Sequence, residues 1–298
     1  MPAAAAPPGP LRESLRYLNW VFNPLQSLDV TQVYDLLSTR APTERGLWLN
    51  LGYWREARTL DDACVAMAEL LAERSDMQSG DRVLDVGFGF ADQDIHWARH
   101  QAPQAIVGLN ITASQVAVAR ARVADLGLSD RIDLREGSAT AMPLPDGTFD
   151  VVTALECAFH FRTRSDFFAE AHRVLRPGGR LVVADILPMP PVTGLTARLK
   201  QRASWAMVSS KFRIPEENRY TSDEYAARLA DAGFTGVQVE SIRHEVYAPL
   251  HHYLARNQAP VARLHPLARV PAQLALSLNA ETVYGGLDYV LAVARKPG

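Results

Sequence analysis

The sequence has little of several features that mark particular protein classes. Its 298 residues include only two cysteines, too few for a disulfide framework or a cysteine-rich zinc site. It has no run of the roughly 18 consecutive apolar residues that a membrane helix needs. Its 31 basic and 33 acidic side chains nearly balance, without a dense basic run for nucleic-acid phosphates or an anionic membrane surface. These absences favour a small-molecule partner and predict a reducing, cytoplasmic location.

Hydrophobic residues make up 48% of the chain, enough for a sizeable core, so one large domain or a domain with a lid is expected. Residues 1–10, MPAAAAPPGP, are predicted to be a disordered tail, and residues 11–75 a helical cap. Residues 76–298 form the predicted main domain, with lid insertions at about 188–220 and 247–286.

From Arg82 onward, strand-like runs alternate with helical segments: RVLDVGF, AIVGLN, RIDLREG and FDVVTAL are separated by stretches such as ASQVAVARARVADLG. A helix in DFFAEAHRVL is expected to end at Pro177-Gly178-Gly179, followed by strands in RLVVADIL, TGVQVESIRHEV and LDYVLAVARK. The prediction is an α/β fold: a Rossmann-like, mainly parallel seven-stranded sheet with helices on both faces.

The stretch DVGFGFA places Gly87 and Gly89 after the first predicted strand, where a glycine turn and a helix N-terminus meet a ligand. A dinucleotide site normally has a third glycine, but Asp92 stands there, and Asp85 precedes the first glycine. Two carboxylates would repel a pyrophosphate, whereas they would attract a ligand that carries an ammonium and a sulfonium. The loop therefore predicts a cationic ligand.

This D-x-G-x-G-x-A loop, with the motifs that follow it, resembles class I S-adenosylmethionine-dependent methyltransferases. The resemblance implies S-adenosylmethionine as cofactor and S-adenosylhomocysteine as product. GLN ends the second strand, and EGSATAMPLPDGTFDVV and RVLRPGG match later family motifs. The family usually has an acid where Asn110 stands. The residues that the resemblance assigns to the cofactor in these motifs are Asp85, Gly87, Gly89, Asn110, Ile111, Gln115, Ser138 and Ala139. Of these, Asn110 and Gln115 are expected to face the ribose, and Ser138 and Ala139 to lie beside the adenine.

Within the family, GLWLNLGYW (Gly46 to Trp54) and GSATAMPLP resemble the enzymes that methylate macrolide sugars and similar secondary metabolites. That resemblance implies that Tyr53 reaches the methionine end of the cofactor. Tyr53 and Trp54 are equally suited to anchor the cap by packing. The acceptor implied is a hydroxyl group of a mostly apolar small molecule.

A hydroxyl acceptor must lose a proton, and the base is expected at the carboxyl ends of the parallel strands. His160 follows the fourth strand and Asp185 ends the fifth; in the sugar O-methyltransferases that the sequence resembles, such a pair forms the base and its partner. His160 as a packed histidine and Asp185 as a strand cap are the alternatives. Glu156 is assigned to the cofactor, although it is equally placed to order the next helix or to touch substrate.

Several alternatives stay open at this point. A small-molecule N- or C-methyltransferase is the nearest rival, and a non-catalytic cofactor-binding protein on the same fold is another. A nicotinamide oxidoreductase is disfavoured by the acids of the glycine loop. The remaining histidines lack the spacing and third ligand of a zinc or iron site, so no metal is expected. The segment from Tyr17 to Leu25 fits a second subunit as well as a lid, so a homo-oligomer stays open.

Overall fold

The computed structural model describes residues 43–212, 214–264 and 266–298. The predicted tail at 1–10 and the part of the predicted cap at 11–42 therefore lie outside the described residues.

The described chain alternates strands and helices over most of its length. The strands are β1 Arg82–Val86, β2 Ala105–Asn110, β3 Ile132–Glu136, β4 Phe149–Leu155, β5 Leu175–Pro188, β6 Thr235–Ser241 and β7 Leu287–Arg295. The helices are α1 Leu60–Arg74, α2 Asp92–His100, α3 Ala113–Asp125, α4 Arg164–Val174, α5 Leu195–Phe212, α6 Ser222–Asp231, α7 Arg243–Arg256, α8 Gln258–Arg263, α9 Pro266–Ser277 and α10 Ala280–Tyr284.

The strands form one seven-stranded sheet in the order β3-β2-β1-β4-β5-β7-β6. Strands β1 to β5 pair in parallel, whereas β7 runs antiparallel to both β5 and β6. The predicted mainly parallel, seven-stranded Rossmann-like sheet is confirmed. Its parallel half brings the carboxyl ends of β3, β2, β1 and β4 side by side at one edge.

Helices cover both faces of this sheet, as the alternation predicted. Successive strand residues point to opposite faces, so Val83 packs in one apolar layer and Leu84 in the other. The first layer receives residues of α1, α2, α3 and α7, and the second those of α4 and α6. The result is a three-layer arrangement in which loops at the strand ends stay accessible.

Two predicted element boundaries are wrong. Helix α4 ends at Val174, before Pro177, because Leu175 already pairs with Phe149 of β4. Strand β6 ends at Ser241, and the rest of the predicted strand begins α7. The reason is helical spacing: Val246, Tyr247 and Leu250 are buried together against the core.

A fully buried ion pair joins α4 to the end of β5. Nε of Arg164 donates to Oδ2 of Asp185 at 2.7 Å, and neither side chain is exposed to solvent. The guanidinium also donates to the backbone oxygens of Asn218 and Ile186. Asp185 further accepts hydrogen bonds from the hydroxyl of Tyr225 and from the backbone N–H of Ile186. Each charge is thus compensated, which a buried pair requires.

Arg164→Met should lower the free energy of unfolding by about 3 to 5 kcal/mol, because it leaves the carboxylate of Asp185 buried without a counter-charge. Arg135→Met is the matched control. Arg135 pairs with Asp133 at a site where both side chains are about half exposed, so its loss should cost about 0 to 1 kcal/mol. Urea denaturation measures the free energy of unfolding of both variants. Equal decreases would show that the buried ion pair stabilises the protein no more than the exposed one.

Candidate active site

A cavity of about 390 Å³ opens at the carboxyl ends of β1 to β4. Ligands bind at this edge in open α/β sheets. Its wall comes from the loops that follow these four strands and from a segment that precedes α1. The lining residues are Leu47, Leu49, Asn50, Gly87, Phe88, Gly89, Phe90, Gln93, Leu109, Asn110, Ile111, Thr112, Gln115, Gly137, Ser138, Ala139, Thr140, Leu155, Glu156, Cys157, His160, Phe161 and Arg162.

The loop after β1 needs glycine for two reasons. Gly87 has φ +74°, which L side chains rarely adopt, and a Cβ there would lie 2.6 Å from Cβ of Cys157. Gly89 has φ +57°, and its Cβ would lie 3.0 Å from Leu49. The loop therefore packs closely against two neighbouring segments while its backbone faces the cavity.

The acids of this loop do not act as the sequence argument assumed. The carboxylate of Asp92 forms a two-point ion pair with Arg122, at 2.7 and 2.8 Å, which compensates its charge. Asp85 is buried outside the cavity lining and accepts hydrogen bonds from Thr153 and from Gln93, which does line the cavity. Burial raises the pKa of Asp85 to about 7. The prediction that two uncompensated carboxylates surround the ligand is therefore wrong.

Gln115 and Asn110, the two residues predicted to face the ribose, are hydrogen-bonded to each other at the cavity wall. Oε1 of Gln115 accepts a hydrogen bond from Nδ2 of Asn110 at 2.8 Å, while Oδ1 of Asn110 accepts one from the N–H of Thr112. Nε2 of Gln115 is buried and has no partner among the described residues, although the side chain lines the cavity. A ribose hydroxyl is a suitable acceptor for this donor. The structure thus fits S-adenosylmethionine here, with Asn110 holding Gln115 in place.

Ile111, Ser138 and Ala139 also line the cavity, as the sequence predicted for cofactor residues. Ile111 is exposed, whereas Ala139 is buried. The hydroxyl of Ser138 accepts a hydrogen bond from the N–H of Thr140, which shapes the turn after β3. This turn lies at the end of the cavity farthest from β4.

Tyr53 lies outside the cavity lining, in contrast to its predicted place at the methionine end. Its ring packs against the core beside α1, with the guanidinium of Arg55 5.4 Å from the ring centre. Its N–H donates to the oxygen of Ala63, which ties this part of the segment to α1. Asn50 and Leu49 of the same GLWLNLGYW segment line the cavity instead.

Glu156 and His160 share the loop after β4, and both line the cavity. His160 belongs to a short 3₁₀ turn, where its N–H donates to the oxygen of Cys157 and its ring lies 4.1 Å from that of Phe159. Asn218 fixes the turn by donating to the backbone oxygens of Phe159 and Phe161. The predicted histidine is therefore held at the cavity wall by backbone contacts.

Asp185, predicted to be the partner of His160, instead belongs to the buried ion pair with Arg164. All its hydrogen bonds within the described ranges go to Arg164, Tyr225 and Ile186, and it lies outside the cavity lining. The expected pairing of His160 with Asp185 is therefore wrong, because the guanidinium of Arg164 already neutralises this carboxylate.

Sequence reasoning missed several cavity residues. Gln93 and Thr112 follow the glycine loop and the second strand, and their positions at two helix starts gave a usable signal. Tyr289 lies behind the cavity lining and was missed altogether, because it is 133 residues from Glu156, to which its hydroxyl donates at 2.6 Å.

Across the described ranges of the chain, no three His, Cys, Asp or Glu side chains are grouped to hold a metal ion. None of the helices in those ranges is long and apolar enough to cross a membrane.

Gly87→Ala should weaken S-adenosylhomocysteine binding at least tenfold and lower the melting temperature, since the new methyl group meets the side chain of Cys157. Gly127→Ala is the matched control, because Gly127 also has positive φ but no atom lies within 4 Å of the position that its Cβ would take. Calorimetric titration and thermal unfolding of both variants separate the clash from backbone strain. Equal effects would contradict the close-packing explanation.

Asp94→Asn should stabilise the protein increasingly as pH rises. Both carboxylate oxygens of Asp94 are buried without partners in the described part of the chain, and burial, then the charge of Asp85, raises its pKa well above normal. The folded protein therefore retains a proton that the unfolded chain releases above about pH 4, so wild-type stability falls as pH rises from there.

Melting temperatures of the wild type and Asp94→Asn, compared from pH 5 to pH 8, measure this trend. The exposed Asp130→Asn is the control and should show no trend relative to wild type. A difference between Asp94→Asn and wild type that does not change with pH would exclude the buried carboxyl as its cause.

The chain has relatives among characterised proteins. A family model for a methyltransferase domain matches residues 84–183. Erythromycin 3''-O-methyltransferase of Saccharopolyspora erythraea is 38% identical over 265 residues, which is 86% of each chain. 27-O-demethylrifamycin SV methyltransferase of Amycolatopsis mediterranei is 32% identical over 90% of this chain and 97% of its own.

Solved structures share the fold. Geranyl diphosphate C-methyltransferase from Streptomyces coelicolor A3(2), crystallised with Mg²⁺, geranyl diphosphate and S-adenosyl-L-homocysteine, has a TM-score of 0.66 at 18% identity and covers 98% of this chain and 100% of its own. The [4+2]-cyclase SpnF has a TM-score of 0.64 at 24% identity, with 98% and 99% covered. These two likenesses show the fold alone, since one fold hosts different reactions.

The two O-methyltransferase relatives exceed 30% identity and match most of their length. Together with the glycine loop and the sheet order, they establish that the chain belongs to the class I S-adenosylmethionine-dependent O-methyltransferases of small molecules.

Proposed function

We propose that this enzyme methylates a hydroxyl group on a large, mostly apolar secondary metabolite of the macrolide type, with His160 as general base. The observation that carries the proposal is the position of His160 on the loop after β4, in the cavity that the cofactor loops line. The relatives support the proposal because the two enzymes above are named for the methylation of erythromycin and of demethylrifamycin.

The sheet order sets the direction of the bound cofactor. Ser138 follows β3, Gln115 lies beyond β2, Gly87 follows β1, and His160 follows β4. With adenine at β3 and ribose at β2, the methionine end extends past β1, so the reacting end comes to β4. The acceptor then approaches from the side of His160.

When bound, S-adenosylmethionine would supply a methyl group for in-line transfer from its sulfonium sulfur to the acceptor oxygen, with the thioether S-adenosylhomocysteine as the leaving group. The chain's own task is to align the two molecules, which can supply roughly 7 to 11 kcal/mol of the barrier reduction. His160 takes the proton that the hydroxyl loses, a contribution of about 10² to 10⁴ in rate. Asp185 has no part in this proton transfer, because Arg164 holds it.

The acceptor class is tested with labelled S-adenosylmethionine and a panel that includes 3''-O-demethylerythromycin and 27-O-demethylrifamycin SV. Label should appear in at least one acceptor, and NMR of the product should place the new methyl group on oxygen. A methyl group on nitrogen or carbon would favour the rival methyltransferase classes. No transfer to any panel member would refute the macrolide-type assignment.

His160→Ala should lower kcat by about 10² to 10⁴ while S-adenosylhomocysteine still binds as in the wild type. The control is His244→Ala, since His244 is exposed at the start of α7, outside the cavity lining. Turnover of His160→Ala within a few-fold of wild type would remove His160 from the mechanism.

A further inference from the structure

Glu156 lines the cavity but has no role in the proton transfer proposed above. It is the first residue after β4, on the same loop as His160, and both side chains line the cavity. By the sheet order above, this loop lies at the reacting end, away from the adenine and ribose loops. Glu156 therefore belongs to the acceptor half of the site.

Two hydrogen bonds orient its carboxylate. Oε1 accepts from the N–H of Leu51 at 2.7 Å and from the hydroxyl of Tyr289 at 2.6 Å. Leu51 precedes α1, in the segment whose Leu49 packs against Gly89, and Tyr289 is on β7, two places beyond β4 in the sheet. The bond from Tyr289 therefore holds Oε1 on the side of β4 that is opposite to β1, β2 and β3. Within the described part of the chain, no donor is bonded to Oε2.

The backbone of Glu156 supports this orientation. Its φ of +51° is in the left-handed region, which a residue with a long side chain seldom adopts. Its N–H donates to the oxygen of Ala184 on β5, which holds the strained conformation. Strain of this kind is found at binding and catalytic sites.

The surroundings favour a hydrogen-bond donor from the ligand. Burial, opposed in part by the hydrogen bonds from Tyr289 and Leu51 and assisted by the charge of Asp185, raises the pKa of Glu156 to about 7. The other ionisable groups facing it come from α1, α7, β7 and the loop itself: Cys64, Tyr247, Tyr289, Cys157, His160 and Arg162. A donor on Oε2 would stabilise the ionised carboxylate.

We propose that Glu156 is an acceptor-recognition residue whose Oε2 binds a donor group next to the hydroxyl that is methylated, and that Tyr289 positions it. Because Glu156 and His160 line one cavity from the same short loop, the proposal places the two ligand groups that they meet next to each other. The acceptor class is therefore a compound with two adjacent donors, such as a vicinal diol. This inference rests on the proposed function.

The Glu156→Gln variant tests the atom concerned. Glutamine keeps a carbonyl oxygen for Leu51 and Tyr289 but turns the cavity-facing acceptor into a donor. The probes are 3''-O-demethylerythromycin and the analogue in which hydrogen replaces the hydroxyl next to the reacting one. The kcat/KM of both probes and the Kd of S-adenosylhomocysteine are measured.

The wild type should prefer the adjacent-hydroxyl probe by about 10- to 100-fold, as expected for one hydrogen bond to a charged group. Glu156→Gln should reduce that preference to within about threefold and leave S-adenosylhomocysteine binding unchanged. Tyr289→Phe should lose part of the preference, through a higher KM for the acceptor. Tyr247→Phe, which loses a buried hydroxyl bonded to Asp288, should keep it.

A preference in Glu156→Gln equal to that of wild type would overturn the proposal. So would a more than tenfold loss of S-adenosylhomocysteine affinity, which would make Glu156 a cofactor residue. If the wild type methylates no member of the acceptor panel, the proposed function itself fails, and this inference falls with it. Methylation of 27-O-demethylrifamycin SV but of neither probe would leave the proposed function standing and would overturn the adjacent-donor proposal.

Discussion

The buried ion pair of Arg164 and Asp185 is the interaction on which the rest of the site depends. Arg164 directly follows the loop that carries Glu156 and His160, so the pair fastens that loop to β5. Asn218, whose backbone oxygen the same guanidinium contacts, holds the 3₁₀ turn by its amide. An acid that the sequence suggested for chemistry thus serves to fix the position of the reacting end.

The parts of the fold that depend on local pattern could be predicted from the sequence. Apolar runs with helical segments between them indicated β1 to β5, and the sheet order placed the loops of Gly87, Asn110 and Ser138 together. The boundary at Pro177 was wrong because pairing of Leu175 with β4 outweighs helix continuation. No local signal could show that pairing.

The sequence could not predict which side chains form ion pairs with each other in the site, because these pairs join residues that are distant along the chain. Arg164 is 21 residues from Asp185, and Arg122 is 30 residues from Asp92. In the GLWLNLGYW segment the sequence indicated a cavity wall but not which side chains would face it: Leu49 and Asn50 line the cavity, whereas Tyr53 packs beside α1. The ligand class was right although the charge argument was not.

The two groups that hold Glu156 lie outside the stretch that matches the general methyltransferase domain, residues 84–183. Leu51 comes before it and Tyr289 after it, whereas Gly87, Gln115 and Ser138 are within it. Glu156 and His160 are also within it, so the proposed acceptor-recognition residue belongs to the general domain while the groups that orient it come from the two flanking segments. Substitutions at the positions of Leu51 and Tyr289 can therefore alter the proposed acceptor contact without any change in the segment that matches the general domain.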